Sequence, residues 1–394
     1  MTLKFGGRLE LKSLERAIRE ILRRQESLRT VLTLNASKSA AVQTVTEVPE
    51  QLWEVQDLHA LPGAERDSEL ERIQRDMMER PWELTQVPFR AKLVKLGPQS
   101  HNLYLAAHPL LLDDQSWQIF CQELEALYNA YVTGKPSPLP ELTIQFRDFA
   151  ALDRRSTAWL APQLAYWRKR TEGASGPNLP LDRPRVGAKS GRLVVTKQLI
   201  PIELVRAMER ICRERSVTLP TFLLATFNLL LSRWCGQNQM LLWIVDAHRQ
   251  HRELTKVIGN FLTFQPIVTD SSCTKTFAEL LTQVQQASTE ARANSDVPGL
   301  LFMQDPVLSR LVYLPMVVFN YLVPPPALAL ADLSAEKETH PEATALHDLL
   351  FLYEKHADGM IHWISASEDT FELRTVEALA AAYYELLREV VTSL

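Results

Sequence analysis

The residues best suited to chemistry lie close together in AHPLLLDDQSW, positions 107–117. His108 is a titratable imidazole, Asp113 and Asp114 are adjacent carboxylates, Ser116 brings a hydroxyl, and Trp117 follows. Such a set could move a proton in a reacting pair. Pro109 interrupts it, since proline accepts no proton and has no N–H to donate. Side by side in a closed site, Asp113 and Asp114 could leave one carboxylate a protonatable acid. The plainer expectation is that Asp114 faces solvent or caps the helix beginning near Ser116. A lone histidine at a strand end, as His108 is, is more often structural than catalytic. Asn320 in VVFNYL is the second candidate: its neutral amide can orient a carbonyl or an amine, or serve the local backbone.

These residues need elements to position them. Ala91 to Leu96 and Asn102 to Ala107 read as neighbouring strands that deliver His108 at an end. After them, Trp117, Phe120, Cys121, Leu124, Tyr128 and Tyr131 recur at helical spacing as a core stripe. Ahead of them, Leu14, Ala17, Ile18, Ile21 and Leu22 predict a helix with Ser13 as its cap, Gln43 to Val48 alternates as a strand does, and a second helix stops before Pro81. The Gly-, Pro- and Ser-rich stretch 173–192 reads as a linker between two lobes, 1–175 and 193–394, with 176–192 as the linker proper. Beyond it the chain predicts a strand from Leu193, helices over Ile202 to Arg213, Thr218 to Cys235 and Phe277 to Ala293, and strands at Met240 to Val245 and Met316 to Phe319. A strand pair follows around Asp358-Gly359, then a last helix over Thr375 to Val391. Residues 323–343 start too rich in proline for a regular element and read as an exposed crossing segment.

Composition excludes several classes. The 394 residues are 46% hydrophobic and 23% charged with a net charge of -4, which gives no electrostatic case for nucleic acid. Cys121, Cys212, Cys235 and Cys273 are too scattered for a zinc site or a disulfide framework, so no metal is expected. The N-terminus has no signal-peptide pattern, and the apolar stretch Leu219 to Trp234 is too short and polar to span a membrane. A cytoplasmic protein without a membrane partner is the expectation.

Several segments, in order, resemble the condensation domains of nonribosomal peptide synthetases. They are LERAIREILRRQESLRTVL at 14–32, the 107–128 stretch, YWRKRTEGASGPNLPLDRPR at 166–185, the long block at 216–267 and LPMVVFNYL at 314–322. Their order and spacing carry the resemblance across nearly the whole chain, although the block that usually precedes position 9 is absent. The resemblance implies an α/β (α+β) fold of two chloramphenicol-acetyltransferase-like lobes in a V around a central tunnel, with 323–343 as a candidate bridge over it. It implies donor and acceptor carrier proteins and neighbouring synthetase domains as partners. No cofactor would be bound directly: the substrates ride on the carriers' phosphopantetheine. The tunnel would hold an acceptor amine against a donor thioester, a proximity device.

In that family the motif is His-His-x-x-x-Asp-Gly, and Ser116 and Glu123 set its register. His108 matches the first histidine, Pro109 replaces the second, Asp113 matches the aspartate and Asp114 replaces the glycine. The usual base is therefore absent, and His108 could replace it only if the loop moved by one residue. Asp113 is expected to be mainly structural, paired across the lobes with Arg249 of AHRQHRE. Gln25 stands where a histidine is usual, and Arg29 and Glu26 are expected to hold the N-terminal lobe together. The leading expectation is an acyltransferase joining a carrier-bound acyl group to an amine or hydroxyl, with His108, Asp113 and Asn320 as candidate catalytic residues and Pro109, Asp114, Ser116 and Trp117 along the motif. The alternative is a catalytically degenerate domain that docks carrier proteins or a tailoring enzyme. A heterocyclising variant is the third reading: His108-x4-Asp113-x2-Ser116 resembles that branch's Asp-x4-Asp-x2-Ser, and Trp363 fits it, while Asn320 and Asp348-Leu349 do not.

Overall fold

The structure is a computed structural model and describes residues 1–35, 41–152, 158–185, 190–249, 251–323, 327–338 and 347–394. The first part of the chain runs β1 (Thr2–Gly7), α1 (Leu11–Arg24), β2 (Thr30–Leu34), β3 (Ala41–Val45), β4 (Glu54–Asp57) and α2 (Gly63–Glu79). It continues through β5 (Phe89–Gly97), β6 (Ser100–Ala107), α3 (Asp114–Val132), α4 (Phe146–Leu152) and α5 (Ala161–Arg170). Next come β7 (Leu193–Pro201), α6 (Ile202–Glu214), α7 (Leu219–Cys235), β8 (Gln239–Asp246), β9 (Thr263–Asp270), α8 (Phe277–Ala293) and α9 (Gly299–Gln304). The chain closes with β10 (Val317–Leu322), β11 (Leu333–Glu338), β12 (Leu349–His356), β13 (Gly359–Ser367) and α10 (Leu373–Ser393).

Two units emerge, and they are not contiguous halves. The first takes Met1–Arg155, Arg249–Phe261 and Pro325–Glu342; the second takes Ser156–His248, Leu262–Pro324 and Ala343–Leu394. A division at 176–192 therefore differs from the one observed. The chain leaves the first unit about twenty residues earlier, and two later segments return to it. Residues 186–189 of the expected linker lie outside the described residues, as do 324–326 and 339–343 of the expected bridge.

The first unit is built on a sheet of order β11-β1-β6-β5-β4, with β2 and β3 forming a separate ribbon. β1 pairs antiparallel on both sides, Leu3 facing Leu103 of β6 and Lys337 of β11. Leu14, Ile18, Ile21 and Leu22 of α1 pack with Phe120, Leu124 and Tyr128 of α3 and with Leu93 and Leu103 of the sheet. Ser13 does not cap α1. Glu10 does, its carboxylate accepting from the Ser13 N–H, so Ser13 sits inside the first turn.

The second unit carries a sheet of order β7-β13-β12-β10-β8-β9, in which β10 runs parallel to β8 and β12. Helix α7 follows from its sequence: Thr218 caps it, Pro220 occupies the first turn, and Gly236 ends it in the left-handed region at φ 64. Within this core His362 of β13 lies opposite Tyr353 of β12. Their rings stack at 4.5 Å and 5°, and Tyr383 of α10 lies 5.1 Å from the imidazole.

Candidate functional site

Strand β6 ends at Ala107 and helix α3 starts at Asp114, so residues 108–113 form the turn between them. Asp113, rather than Asp114, caps the helix. Its Oδ1 accepts from the Ser116 N–H at 2.8 Å and the Ser116 hydroxyl lies 2.7 Å away. A carboxylate at a helix N-terminus also meets the favourable end of the macrodipole. Asp114 is the first helical residue and is exposed, and Trp117 is half-buried with its ring 5.7 Å from Phe120.

Arg249 and residues 251–261 close over this cap within the same unit. Arg249 Nη2 lies 2.9 Å from Asp113 Oδ1 and 3.1 Å from Oδ2, and the Phe261 N–H donates to Oδ2 at 3.1 Å. The same guanidinium donates through Nη1 to the carbonyls of Leu254 and Val257, through Nη2 to Ser116 Oγ, and sits 4.1 Å above the Phe261 ring. Burial pulls the Arg249 pKa down, and the Asp113 charge opposes that shift. Ser116 Oγ also accepts from the Gly259 N–H and lies 2.9 Å from the Gly259 carbonyl. Gly259 is required by space: a Cβ there would stand 2.3 Å from Phe146 Cδ2.

A second lock holds the segment from beneath. Gln25 is fully buried; its Nε2 donates to Glu123 Oε1 at 3.1 Å and to the Lys256 carbonyl at 3.0 Å, and its Oε1 accepts from the Ile258 N–H at 2.8 Å. Arg24 reaches the same Glu123 at 3.3 Å. Burial raises the Glu123 pKa, with Arg24 and Gln25 opposing. Arg29 ties the C-terminal end of α1, donating to the carbonyls of Leu22, Arg23 and Thr46, and Glu26 pairs with Arg147 at 3.0 Å. Gly259, Phe261 and the bridging role of Gln25 are not identified by motif reading. Their signal is spatial, because 231 residues separate Gln25 from Lys256.

His108 is held differently. Its backbone N–H donates to the Pro88 carbonyl at 3.0 Å, and its Nδ1 accepts from the Leu110 N–H at 3.1 Å. That partner assigns the neutral tautomer with its proton on Nε2. Burial lowers the His108 pKa, and the Trp82 ring meets the imidazole edge-on at 6.2 Å. Pro109 is exposed, and its carbonyl accepts from Asn260 Nδ2 at 2.8 Å. The imidazole can therefore donate through Nε2, while its lone pair is engaged inside its own turn. Asp113 accepts from Ser116, Arg249 and Phe261 on its two oxygens. The arrangement fixes geometry; neither His108 nor Asp113 presents a free acceptor for a substrate proton.

Asn320 belongs to the second unit. It is half-buried on β10, in register with Leu352 of β12. Among the described residues no cluster of metal-ligating side chains occurs, and no helix is long and apolar enough to cross a membrane.

Comparison with known proteins agrees with this architecture. A family profile described as "Condensation domain" matches residues 1–394. A linear gramicidin synthase of Brevibacillus parabrevis is 30% identical over 401 residues, a match covering 98% of this chain and 8% of that protein. The chain thus spans less than a tenth of the length of that relative. Among solved structures, SgcC5 from Streptomyces globisporus superposes with a TM-score of 0.84 at 21% identity, covering 99% of this chain and 91% of that one. The X-domain from teicoplanin biosynthesis, solved in complex with OxyB, superposes at 0.81 and 24% identity, covering 99% and 87%. The fold is mixed α/β, of the chloramphenicol-acetyltransferase-like two-lobe class.

Proposed function

This chain belongs to the condensation-domain family of nonribosomal peptide assembly lines, and from that premise we propose that it is a member without condensation chemistry, a docking platform for carrier proteins and a tailoring enzyme. The observation that carries this reading is the state of the motif turn. Pro109 occupies the position of the usual base, and the Nδ1 lone pair of His108 is engaged by the Leu110 N–H. A general base must present a lone pair to the proton it removes, so geometry disfavours His108 before its lowered pKa is considered.

The rest of the frame is kept. Asp113, Ser116 and Arg249 hold the turn and residues 251–261 rigid, which suits a binding surface as well as a reaction chamber. The X-domain that resembles this chain in fold was solved in complex with OxyB, which supports a protein partner of the tailoring class. In this reading a carrier presents its tethered peptide on its phosphopantetheine arm. An acyltransferase reading keeps two points in its favour: the buried Asp113–Arg249 pair is complete, and Asn320 supplies an amide in the second unit.

Calorimetric titration of the domain with a peptide-loaded carrier protein, and separately with OxyB, the partner solved with the X-domain, tests the docking role. Saturable binding of both in the micromolar range, near about -8 kcal/mol, is expected, unchanged by His108→Ala. Absence of binding to either partner would remove the platform reading.

A further inference from the structure

A cavity of about 240 Å³ opens in the first unit beside β4, α2 and β5, and it shares no residue with the motif turn. Its floor is apolar: Leu52 and Met77 are 8% and 9% exposed. Its walls are charged, and the charges do not balance. Arg80, Arg90 and Lys92 face two carboxylates, Glu54 and Asp76. Lys92 is matched by Glu54 at 3.3 Å. Neither arginine has a carboxylate within ion-pair distance among the described residues.

Arg90 has a structural duty. It donates to the carbonyls of Arg80, at 2.7 Å, and Pro81, and its guanidinium lies 3.7 Å over the Trp82 ring. Those contacts fix its position without giving it a carboxylate in ion-pair contact among the described residues. Burial and the neighbouring Arg80 charge pull the Arg90 pKa down, and the Asp76 charge opposes them. Arg80 ends α2 and is exposed, with its guanidinium open to a ligand. Arg90 and Lys92, two apart on β5, project to the same face of the strand.

We propose that this cavity binds a small oxyanion carried on a short apolar arm, an organic phosphate or carboxylate, with the oxyanion on Arg80 and Arg90 and the arm over Leu52 and Met77. A guanidinium offers a planar fork that matches either oxyanion, and an anion between two like charges removes their repulsion. The apolar floor makes the arm contribute, so the bare ion binds less well than its organic form. This site is independent of the docking role, so either can fail alone.

Titration calorimetry on the whole domain with phenyl phosphate, benzoate and inorganic phosphate tests it. Phenyl phosphate or benzoate is expected to bind saturably and more tightly than inorganic phosphate, and the better of the two identifies the oxyanion. Arg80→Ala is expected to weaken binding about tenfold, the loss of one charge-assisted contact. Gln51→Glu, which adds a carboxylate to the exposed rim without removing any contact, is expected to weaken it to a similar extent. Unaltered thermal melting of both variants confirms that they fold. Failure of both organic anions to saturate, or equal affinity in the two variants and the parent, overturns the proposal.

Discussion

Arg249→Ala is expected to destabilise the domain by about 3–5 kcal/mol, measured by urea denaturation. The guanidinium and the Asp113 carboxylate are 3% and 1% exposed, so removing one partner leaves the other charge buried. The loss is not the pair's alone, because Leu254, Val257 and Gly259 also give up their donor. Arg249→Lys is expected to recover little: an ammonium cannot span Asp113 and three carbonyls with one planar fork. In Asp113→Ala combined with Arg249→Ala the loss should fall well below the sum of the single losses, since the two side chains form one network. A loss below about 1 kcal/mol for Arg249→Ala would mean that this cluster does not fix the turn.

Acid is expected to weaken the second unit through one residue. His362 is 2% exposed, and burial alone pushes its pKa down to about 3 from 6.5. The groups facing it, Tyr353 and Tyr383, have pKa values raised by burial, and neither adds charge across the acid range. The unfolded chain therefore binds a proton that the folded chain refuses, between pH 6.5 and 3. Stability conferred by the neutral ring is complete above pH 6.5 and declines as pH falls towards 3, with a slope approaching about 1.4 kcal/mol per pH unit. Denaturant midpoints measured across this range should show the slope in the parent and lose it in His362→Phe, which keeps an aromatic face against Tyr353. An identical slope in both would assign the acid response to other groups.

Much of the fold is legible because its elements are locally determined. The α3 stripe from Trp117 to Tyr131 and the α7 run between Thr218 and Gly236 carry period and caps in their own residues. The strand turn at Asp358-Gly359 is equally local. Other features escape for a physical reason: β1 and β11 are short, and their pairing partners lie more than 90 residues away in sequence for β1 with β6 and more than 300 for β1 with β11. The same holds at the site. The pairing of Asp113 with Arg249 can be anticipated from the resemblance, but the unit to which Arg249 belongs cannot, because the chain crosses between units at 248–249 and again at 261–262. Of the two placements expected for Asp114, solvent exposure is the one observed, and the cap is Asp113, since the residue before the helix keeps the extended backbone a cap needs, φ -106 and ψ 178. For His108, strand-end position and motif register already disfavour a base, and the Leu110 N–H contact shows where its lone pair points.

If the altered motif turn frames a binding surface and no longer supplies a base, the domain forms no tethered product of its own. The most direct measurement incubates the domain with a donor carrier protein loaded with its acyl chain and an acceptor carrier protein loaded with its amine, and follows the tethered species by intact mass. Acceptor-bound product is expected at the level seen without the domain, in the parent and in His108→Ala alike. Product formed above that level by the parent, and lost in His108→Ala, would contradict it and return the imidazole to the role of base.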